Sequence, residues 1–482
     1  MQNLPALITL LIYAIVLFGI GFWAARRAKS QEDFLLGGRS LGPWVAGIAY
    51  AASSSSAWVL LGFSGFVYVA GPSALWMVPG IIAGYAAVWL WAGGTLQSAS
   101  RDGNHLTLTD FLVEHASSKS AGLIRIVASL LIAICFSFYV AGQFQGAGIA
   151  IDDLFATGFA PGVVIGALVI LAYVFLGGFL AVSLTDTIQG ILMAFVAILL
   201  PGLAFVEAGG LSGLQSALVN APGAYSAPFG DRAGFAALGF VLGLSATGFG
   251  ALGQPHLIAW IMATKDRSAR VKGAAVAMGW ASLVFAGMAV LGLSARAILG
   301  GDAAPEGVFF QLAQDLLPGI MAGIIAAATL SAIMSTVDSQ LLVAGGAVSH
   351  DLGLGRAFGD RPVLMSRLAI IAVCIAAMAL TFLVPASIFG RILFAWVALG
   401  AAFGPIVVAR TLGYRPSGSV VLAGMSSGFL FAVAYELGWI GSGPGAMWKT
   451  IAPWIGAAIT MIVVARVRKI LAPDELGLGE RN

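Results

Sequence analysis

The stretch Ala332-Ile333-Met334-Ser335-Thr336-Val337-Asp338-Ser339-Gln340 places five polar side chains inside an otherwise apolar run from about Pro318 to Val348. A carboxylate at the centre of a membrane helix costs about 2.5–3.5 kcal/mol, so we expect this cluster to face a protein-lined or water-filled cavity. Ser335, Asp338 and Ser339 are three and four residues apart, which puts their oxygens on one helix face. Oxygen ligands suit a hard cation such as sodium. The alternative is that the hydroxyls bond to their own helix and that Asp338 lies at a wetted edge.

The composition of the chain is that of an all-α polytopic membrane protein. Of its 482 residues, 60% are hydrophobic and only 9% are charged, whereas a soluble domain carries about 25% charged residues. A membrane helix needs about 20 apolar residues. Thirteen such spans are predicted, at about 6–26, 41–70, 74–95, 122–151, 160–184, 187–208, 235–262, 272–299, 316–349, 364–384, 388–411, 418–439 and 449–468.

Basic residues predict how these spans are oriented. Most of the 24 Lys and Arg residues lie in alternate loops, at 26–39, 101–125, 265–272, 356–367, 410–415 and 466–481. Because cytoplasmic loops carry the excess of Lys and Arg, we expect the N-terminus outside the cell (inner) membrane and the C-terminus in the cytoplasm. The net charge of +3 follows from this loop bias and does not indicate a nucleic-acid surface.

The loops contain no recognisable catalytic pattern. No phosphate-binding loop, zinc-ligand spacing or Ser-His-Asp order can be assembled from them. We therefore expect no enzyme activity, no organic cofactor and no obligatory protein partner. The expected partners are a small solute, sodium ions and the lipid bilayer.

Two of the predicted spans are interrupted. The second contains Ser53-Ser54-Ser55-Ser56, and the seventh contains a glycine-rich run that ends in Gly253-Gln254-Pro255. Such runs weaken the helical hydrogen bonds, and irregular backbone is tolerated at membrane depth only beside a cavity. A pair of interrupted spans in matching positions of two halves indicates a transporter binding site. The alternative is that the glycines serve helix packing.

Five motifs together resemble the sodium/solute symporter family, and most closely its sodium/proline symporters. They are Leu36-Gly37-Gly38-Arg39-Ser40-Leu41-Gly42-Pro43, the run from Gly177 to Gln189, Gly253-Gln254-Pro255-His256, Met334-Ser335-Thr336 and Gly400-Ala401-Ala402-Phe403-Gly404-Pro405. The resemblance implies a LeuT-like core of ten helices in a 5+5 inverted repeat. It also implies coupled uptake of an organic solute with sodium by alternating access.

The resemblance divides the chain into four parts. Residues 1–40 form an extra N-terminal helix and the first cytoplasmic loop, and 41–209 form the first repeat from spans two to six. Residues 210–411 form the second repeat from spans seven to eleven, and 412–482 form the last two spans and a cytoplasmic tail.

The resemblance also implies a sodium site between the second and ninth spans. Its ligands would be the backbone carbonyls of Ala52, Ser55 and Ala332 and the hydroxyls of Ser335 and Thr336.

A possible second sodium site in this family corresponds here to Asp186, Ser335, Asp338 and Ser339. Two neighbouring carboxylates would either hold a cation or share a proton. Alternatively, Asp186 caps a helix in a short cytoplasmic turn after Ser183. The ion and cap roles are not exclusive.

The solute pocket is where the chain departs from the proline symporters. Trp58 and Tyr139 match aromatic positions that line the pocket. Ser54 stands where those symporters have an acidic residue, and Thr247 and Ala251 stand where they have aromatic residues. The resulting site is less charged and roomier, so proline, a larger amino acid and a small carboxylate are all compatible with it.

Two further features remain open. Gln143 lies one turn from Tyr139, so it either hydrogen-bonds the solute or is satisfied by a neighbouring helix. Gly253, Gln254 and Pro255 are expected to form a hinge or gate, while a buried His256 is a less favoured proton relay.

The sequence therefore predicts a sodium-coupled symporter of a small organic solute, most favourably proline or another amino acid. The alternatives are a proton-coupled carrier of a small carboxylate that titrates Asp186 or Asp338, and a membrane solute sensor.

Overall fold

The computed structural model describes residues 4–25, 30–174, 178–357, 362–441 and 448–471. Within these ranges the regular elements are helices, and one isolated bridge joins Leu41 to Thr264. The α-helices are α1 Leu4–Ala25, α2 Gln31–Leu36, α3 Pro43–Ala57, α4 Ser64–Ala70, α5 Met77–Ala86, α6 Gly93–Asp102, α7 Leu108–Val113, α8 Ser118–Phe155, α9 Phe159–Val174, α10 Phe179–Glu207, α11 Gly210–Asn220, α12 Gly234–Ala246, α13 Pro255–Met262, α14 Arg267–Leu299, α15 Val308–Leu316, α16 Gly319–Gly346, α17 Leu354–Ala357, α18 Pro362–Leu383, α19 Ile388–Thr411, α20 Gly418–Glu436 and α21 Trp448–Leu471.

Eleven helical runs in the described part of the chain are long and apolar enough to cross a membrane. One of them, Pro43–Asp102, covers two predicted spans and reverses at Gly71, where φ is +60°. A Cβ at Gly71 would lie 2.4 Å from the carbonyl oxygen of Tyr225, so only glycine fits this turn. Helix α9 is apolar but shorter. The helices establish a multi-pass membrane protein.

Helix α16, which carries the polar stretch, is the most deeply enclosed of these spans. In its most apolar 18-residue window 94% of the residues are buried, compared with 17% for α1 at the periphery. Helices α1, α3, α8, α10 and α18 all pack against α16. A helix that is enclosed on all sides is normally apolar all round. The polar residues of α16 must therefore find their partners within the protein.

The interrupted seventh span lies against α5 at glycine contacts. A Cβ on Gly84 would lie 2.0 Å from the carbonyl oxygen of Gly248, and one on Gly80 would lie 2.1 Å from that of Ser245. The backbones therefore touch directly. The glycine-rich run therefore serves helix packing, and it also leaves the α-helical conformation between Thr247 and Gly253, as the predicted interruption requires.

One predicted boundary is wrong. Helix α10 begins at Phe179 with Gly178 as its N-cap, so Ser183 and Asp186 lie inside the helix and Asp186 caps nothing. The hydroxyls of Ser183 and Thr187 bond back to the carbonyls of Phe179 and Ser183, at 2.6 and 2.7 Å. The polar side chains of this run, which suggest a turn in the sequence, thus have their hydrogen bonds satisfied by the helix backbone.

Some predictions concern residues outside the described ranges. These are the first-loop basic residues Arg26, Arg27 and Lys29, the motif residue Gly177 and the cytoplasmic tail after Leu471.

Candidate sodium and solute site

Helix α3 is broken at Ser56, as the serine run predicts. Ser56 has φ 47° and ψ −169°, far from helical values. The break is closed by Gln143 of α8, which accepts a hydrogen bond from the backbone N–H of Ala57 at 3.2 Å and donates one to the Ser56 hydroxyl at 3.1 Å. A backbone N–H that the break would leave unpaired is thus satisfied. Of the two interpretations of Gln143, satisfaction by a neighbouring helix describes this arrangement.

The broken α3 meets the polar face of α16 at Thr336. The Thr336 hydroxyl donates to the carbonyl oxygen of Ser53 at 2.8 Å and also approaches that of Ala332 at 3.2 Å. The Ser335 hydroxyl points back to Ala332 at 3.3 Å, so the hydroxyls do bond to their own helix. Each hydroxyl oxygen keeps lone pairs that can still bind a cation.

The other expected ligands of this site come from the turn before the break. Ala52 and Ser55 are almost completely buried, and the Ser55 hydroxyl donates to the Ala51 carbonyl at 2.7 Å. The structure therefore places a buried, oxygen-rich turn of α3 against the serine and threonine of α16. This donor set, with neither nitrogen nor sulfur, fits a hard cation.

Asp186 of α10 and Asp338 of α16 form a buried acidic pair. Their carboxyl groups lie close enough to interact directly, and the two residues are 0% and 1% exposed. Asp338 accepts one hydrogen bond, from the backbone N–H of Ser339 at 2.7 Å. Among the described residues no group donates a hydrogen bond to either oxygen of Asp186 or to the second oxygen of Asp338. Buried charges are normally paired or bound to a metal, so this pair suits a cation.

Ser339 links the acidic pair to the broken helix. Its hydroxyl lies 2.6 Å from that of Ser53 and donates to the Thr336 carbonyl at 2.9 Å. Helix α3 thus contacts both groups of candidate ligands through Ser53.

A small aromatic cavity lies beside the break. Its free volume is about 10 Å³, roughly the space for one water, so the cavity is too narrow to hold a solute in this conformation. Trp58 and Thr247, two of the predicted pocket residues, line it, and the Trp396 indole donates to the Thr247 carbonyl at 2.7 Å. The other lining residues are Met77, Phe389, Ile392, Leu393 and Trp396.

Sequence reasoning missed the contribution of α19 to this cavity. Phe389 and Trp396 are seven residues apart, which places both rings on one face of that helix. This spacing within a predicted apolar span was the available signal. It is ambiguous because aromatic residues at helical spacing also occur in ordinary packing.

Four predicted pocket residues do not line the cavity. Ser54 bonds to the Tyr85 hydroxyl and donates to the Ala51 carbonyl at 2.9 Å. Tyr139 lies beside His256, with ring centroids 6.4 Å apart. Gln143 closes the break in α3, and Ala251 is buried in the turns that follow α12.

The predicted hinge residues lie where the seventh span is interrupted. Gln254 has an extended backbone, and α13 begins at Pro255. The Gln254 side chain donates to the carbonyls of Gly250 and Trp396 at 3.3 and 2.9 Å. His256 stands edge-on to Phe136, and neither of its ring nitrogens has a hydrogen-bond partner among the described residues. Among the described residues, therefore, no group is hydrogen-bonded to His256 that could pass a proton to it.

A polar network joins the loop helix α7 to the end of the ninth span. Asp110 bonds to His350 at 2.9 Å and to Arg125 at 3.1 Å, while Thr107 donates to Asp351 at 2.8 Å. Burial raises the pKa of Asp110, but the bond to His350 and the charge of Arg125 outweigh burial and hold that pKa below its ordinary value. Asp110, His350 and Asp351 are metal-binding residue types within 4.8 Å of one another. They bond to each other and to neighbouring side chains, so the group joins two parts of the fold.

An all-α membrane protein with two broken spans around buried candidate cation ligands is typical of secondary transporters. Solved structures share this fold. A Na+-coupled sialic acid symporter matches with a TM-score of 0.80 at 16% identity, over 97% of this chain and 98% of that one. The nucleobase-cation-symport-1 family transporter Mhp1 matches with a TM-score of 0.60 at 15% identity, over 90% and 94%. At these identities the likeness shows the fold.

Sequence comparison gives the family. The profile of the sodium:solute symporter family matches residues 34–428. The chain is 32% identical to the sodium/proline symporter of Escherichia coli K12, over 96% of this chain and 93% of that protein. It is 34% identical to the high-affinity proline transporter PutP of Bacillus subtilis 168, over 85% and 87%. The chain belongs to the sodium:solute symporter family, and it is a multi-pass membrane protein that couples solute import to sodium.

Proposed function

We propose that this protein imports proline, or an amino acid of similar size, together with sodium by alternating access. The observation that carries the proposal is the contact between Thr336 and the broken helix α3 next to the narrow aromatic cavity at Trp58. An aromatic cavity beside a helix break suits a small amino acid. The ring of proline can lie on the indoles of Trp58 and Trp396, and its charged groups can bond to polar groups at the break. The proline transporters named above support this substrate.

The proposed architecture is thirteen spans, with α1 outside a ten-helix core. Residues 41–209 and 210–411 form the two inverted repeats, each with one broken span in its first position. Residues 1–40 and 412–482 supply the flanking spans. The N-terminus lies outside and the C-terminus in the cytoplasm.

Sodium binds first in the proposed cycle. It takes the carbonyls of Ala52, Ser55 and Ala332 and the hydroxyls of Ser335 and Thr336, which holds α3 against α16. Solute then fills the cavity and permits closure of the outer side around Trp58. Sodium tightens solute binding by the same factor as solute tightens sodium binding. Each sodium ion contributes about 2.3 kcal/mol per 100 mV of membrane potential.

A second sodium is assigned to Asp186, Asp338, Ser335 and Ser339. The two carboxylates supply the negative charge, and the hydroxyls supply neutral oxygens. The unpartnered oxygens of the acidic pair support this assignment.

The remaining predicted pocket residues act around the solute cavity. Tyr139 and Ala251 shape the neighbouring wall, and Ser54 holds Tyr85 in place. Gln143 fixes the break in α3, while Gly253, Gln254 and Pro255 form the joint at which the seventh span bends.

Uptake into proteoliposomes tests the function directly. Purified protein is reconstituted, and radiolabelled proline, other amino acids and small carboxylates are offered with and without an inward sodium gradient. Sodium-dependent accumulation of proline or another amino acid is the expected result. Accumulation in sodium-free buffer under a pH gradient would replace sodium by protons as the coupling ion. Absence of accumulation for the whole panel would contradict the transport proposal.

A further inference from the structure

A tyrosine of the peripheral helix α1 reaches the ion-binding region. Most of α1 is exposed; Ile15, for example, is 70% exposed. Tyr13 points the other way, and its hydroxyl lies 2.5 Å from the hydroxyl of Ser331 on α16. Ser331 precedes Asp338 by seven residues, which is two turns of the same helix face.

Gln189 of α10 completes the surroundings of this tyrosine. It follows Asp186 by three residues and therefore shares its helix face. Gln189 is 0% exposed, and within the part of the chain that the structure describes neither its Oε1 nor its Nε2 has a hydrogen-bond partner. An unpaired buried polar group costs about 1–3 kcal/mol. A glutamine with both ends unpaired therefore suggests a ligand that is bound at another stage of the cycle.

These residues form one polar column between α1, α10 and α16. The phenol of Tyr13 lies close to Gln189 and near enough to Asp186 and Asp338 to interact with both carboxyls. The phenol and the amide are within reach of one another, but the amide has no partner at hydrogen-bonding distance and angle among the described residues. The acidic pair, the amide and the phenol therefore surround the same small region.

We propose that Gln189 is a further ligand of the second cation and that Tyr13 positions it, which makes α1 a part of the ion site. The inference rests on the proposed second sodium site at Asp186 and Asp338. When Oε1 of Gln189 binds the cation, Nε2 turns toward the phenol oxygen of Tyr13 and donates a hydrogen bond to it. The phenol in turn donates its own proton in a hydrogen bond to the Ser331 hydroxyl. Both ends of the amide then have a partner, and one neutral oxygen joins the two carboxylates around the ion.

The test measures how uptake depends on sodium concentration in proteoliposomes. Gln189→Leu removes the amide, and Tyr13→Phe removes only the phenol oxygen. Gln215→Leu and Tyr414→Phe are matched controls, since both side chains are exposed.

Outer-shell partners of a metal site typically contribute 10–100-fold to affinity. We expect the apparent affinity for sodium to fall about 10–100-fold in Gln189→Leu and about tenfold in Tyr13→Phe. The steepness of the sodium curve falls toward that of a single site, and the solute KM at saturating sodium is unchanged.

A second readout covers variants that do not transport. The sodium-dependent rise in melting temperature of the purified protein, measured against choline, reports binding without turnover. Gln189→Met serves as an additional variant of similar shape. An unchanged sodium dependence in Gln189→Leu and Gln189→Met, in either assay, would overturn the inference.

The variant Asp338→Asn distinguishes a failure of this inference from a failure of the proposed second sodium site. If Asp338→Asn loses the second sodium and the Gln189 variants keep it, the site stands and the role of Gln189 is wrong. If Asp338→Asn also keeps the full sodium dependence, the proposed second site itself fails, and the inference fails with it. If the sodium curve becomes less steep in Asp338→Asn and in the Gln189 variants, while the control variants are unchanged, both the second sodium site and the role of Gln189 are supported.

Discussion

The Thr336 hydroxyl donates a hydrogen bond of 2.8 Å to the Ser53 carbonyl, and it thereby connects α16 to the broken helix α3. Ser339 makes a second connection, since its hydroxyl lies 2.6 Å from that of Ser53. Both connections lie beside the proposed sodium ligands. A cation at that position would strengthen the contact between two helices that the proposed transport cycle brings together and separates.

Thr336→Val is expected to lower the apparent sodium affinity of uptake at least about tenfold, because valine keeps the shape of threonine and loses the ligand oxygen. The measurement is initial uptake against sodium concentration at fixed solute. Thr329→Val is the matched control: the hydroxyl of this buried threonine of the same helix bonds back to the Ile325 carbonyl at 3.0 Å. Equal sodium curves for Thr336→Val and the wild type would remove Thr336 from the site.

Gln143→Leu is expected to destabilise the protein by about 1–3 kcal/mol, because the buried N–H of Ala57 loses its partner. The melting temperature in detergent should fall, and uptake should fall with it. Gln145 lies two residues away, and its side-chain oxygen has no hydrogen-bond partner among the described residues. Gln145→Leu should therefore behave like the wild type. A Gln143→Leu protein that keeps its stability but binds solute more weakly would instead return Gln143 to the solute pocket.

Gly84→Ala is expected to disrupt packing of the seventh span, since the added methyl carbon would lie 2.0 Å from the Gly248 carbonyl. We expect low yield of folded protein and loss of uptake. Gly279→Ala has no atom within 4 Å of the added carbon and should be tolerated. The size-exclusion profile and melting temperature measure the difference. Comparable behaviour of the two variants would argue against a close backbone contact at Gly84.

Asp110→Asn is expected to weaken the network that joins α7 to the end of the ninth span. The pKa of Asp110 is held below its ordinary value, so its carboxylate stabilises the fold above the unfolded-state pKa of about 3.9. That contribution is lost as the pH falls through the folded-state pKa. The melting temperature of Asp110→Asn should therefore be lower than that of the wild type at pH 7, and the difference should shrink below about pH 4.

The matched control for this experiment is Asp102→Asn, which changes an exposed carboxylate. It should leave the melting temperature unchanged throughout. A difference between Asp110→Asn and the wild type that does not vary with pH would show that the charge of Asp110 does not stabilise the network.

The sequence predicted those parts of the fold that follow from burial of apolar residues. Each predicted span overlaps a helix, and the breaks in the second and seventh spans lie at Ser56 and Thr247–Gly253. The beginning of α10 was missed. Ser, Thr and Asp favour turns in water, whereas in an apolar environment their hydroxyls return to the helix backbone.

The candidate site was less predictable because it depends on contacts between distant segments. Spacing on α16 put Ser335, Asp338 and Ser339 on one face, but no local pattern says which helix that face meets. The contact of Tyr13 with Ser331 joins residues 318 positions apart in the chain. A tyrosine within an apolar first span gives no sign of such a partner. For the same reason, Phe389 and Trp396 were indistinguishable from ordinary packing residues.

Phe389→Ala is expected to open the aromatic cavity toward α4 and to weaken solute binding more than sodium binding. The Phe389 ring stacks on Phe66, with centroids 5.5 Å apart, and lies 6.3 Å from the Trp58 ring. Its removal leaves the cavity without part of its wall, so the solute loses apolar contact and the solute KM should rise about tenfold. Competition by amino acids larger than proline should become stronger, since the cavity is wider.

Phe394→Ala is the control: that ring packs on Phe138 at 5.2 Å and lies outside the cavity lining. Uptake kinetics across a panel of competing amino acids measure both effects. If Phe394→Ala and Phe389→Ala changed selectivity equally, the cavity beside Trp58 would not be the solute site, and the region of Tyr139 and His256 would become the candidate.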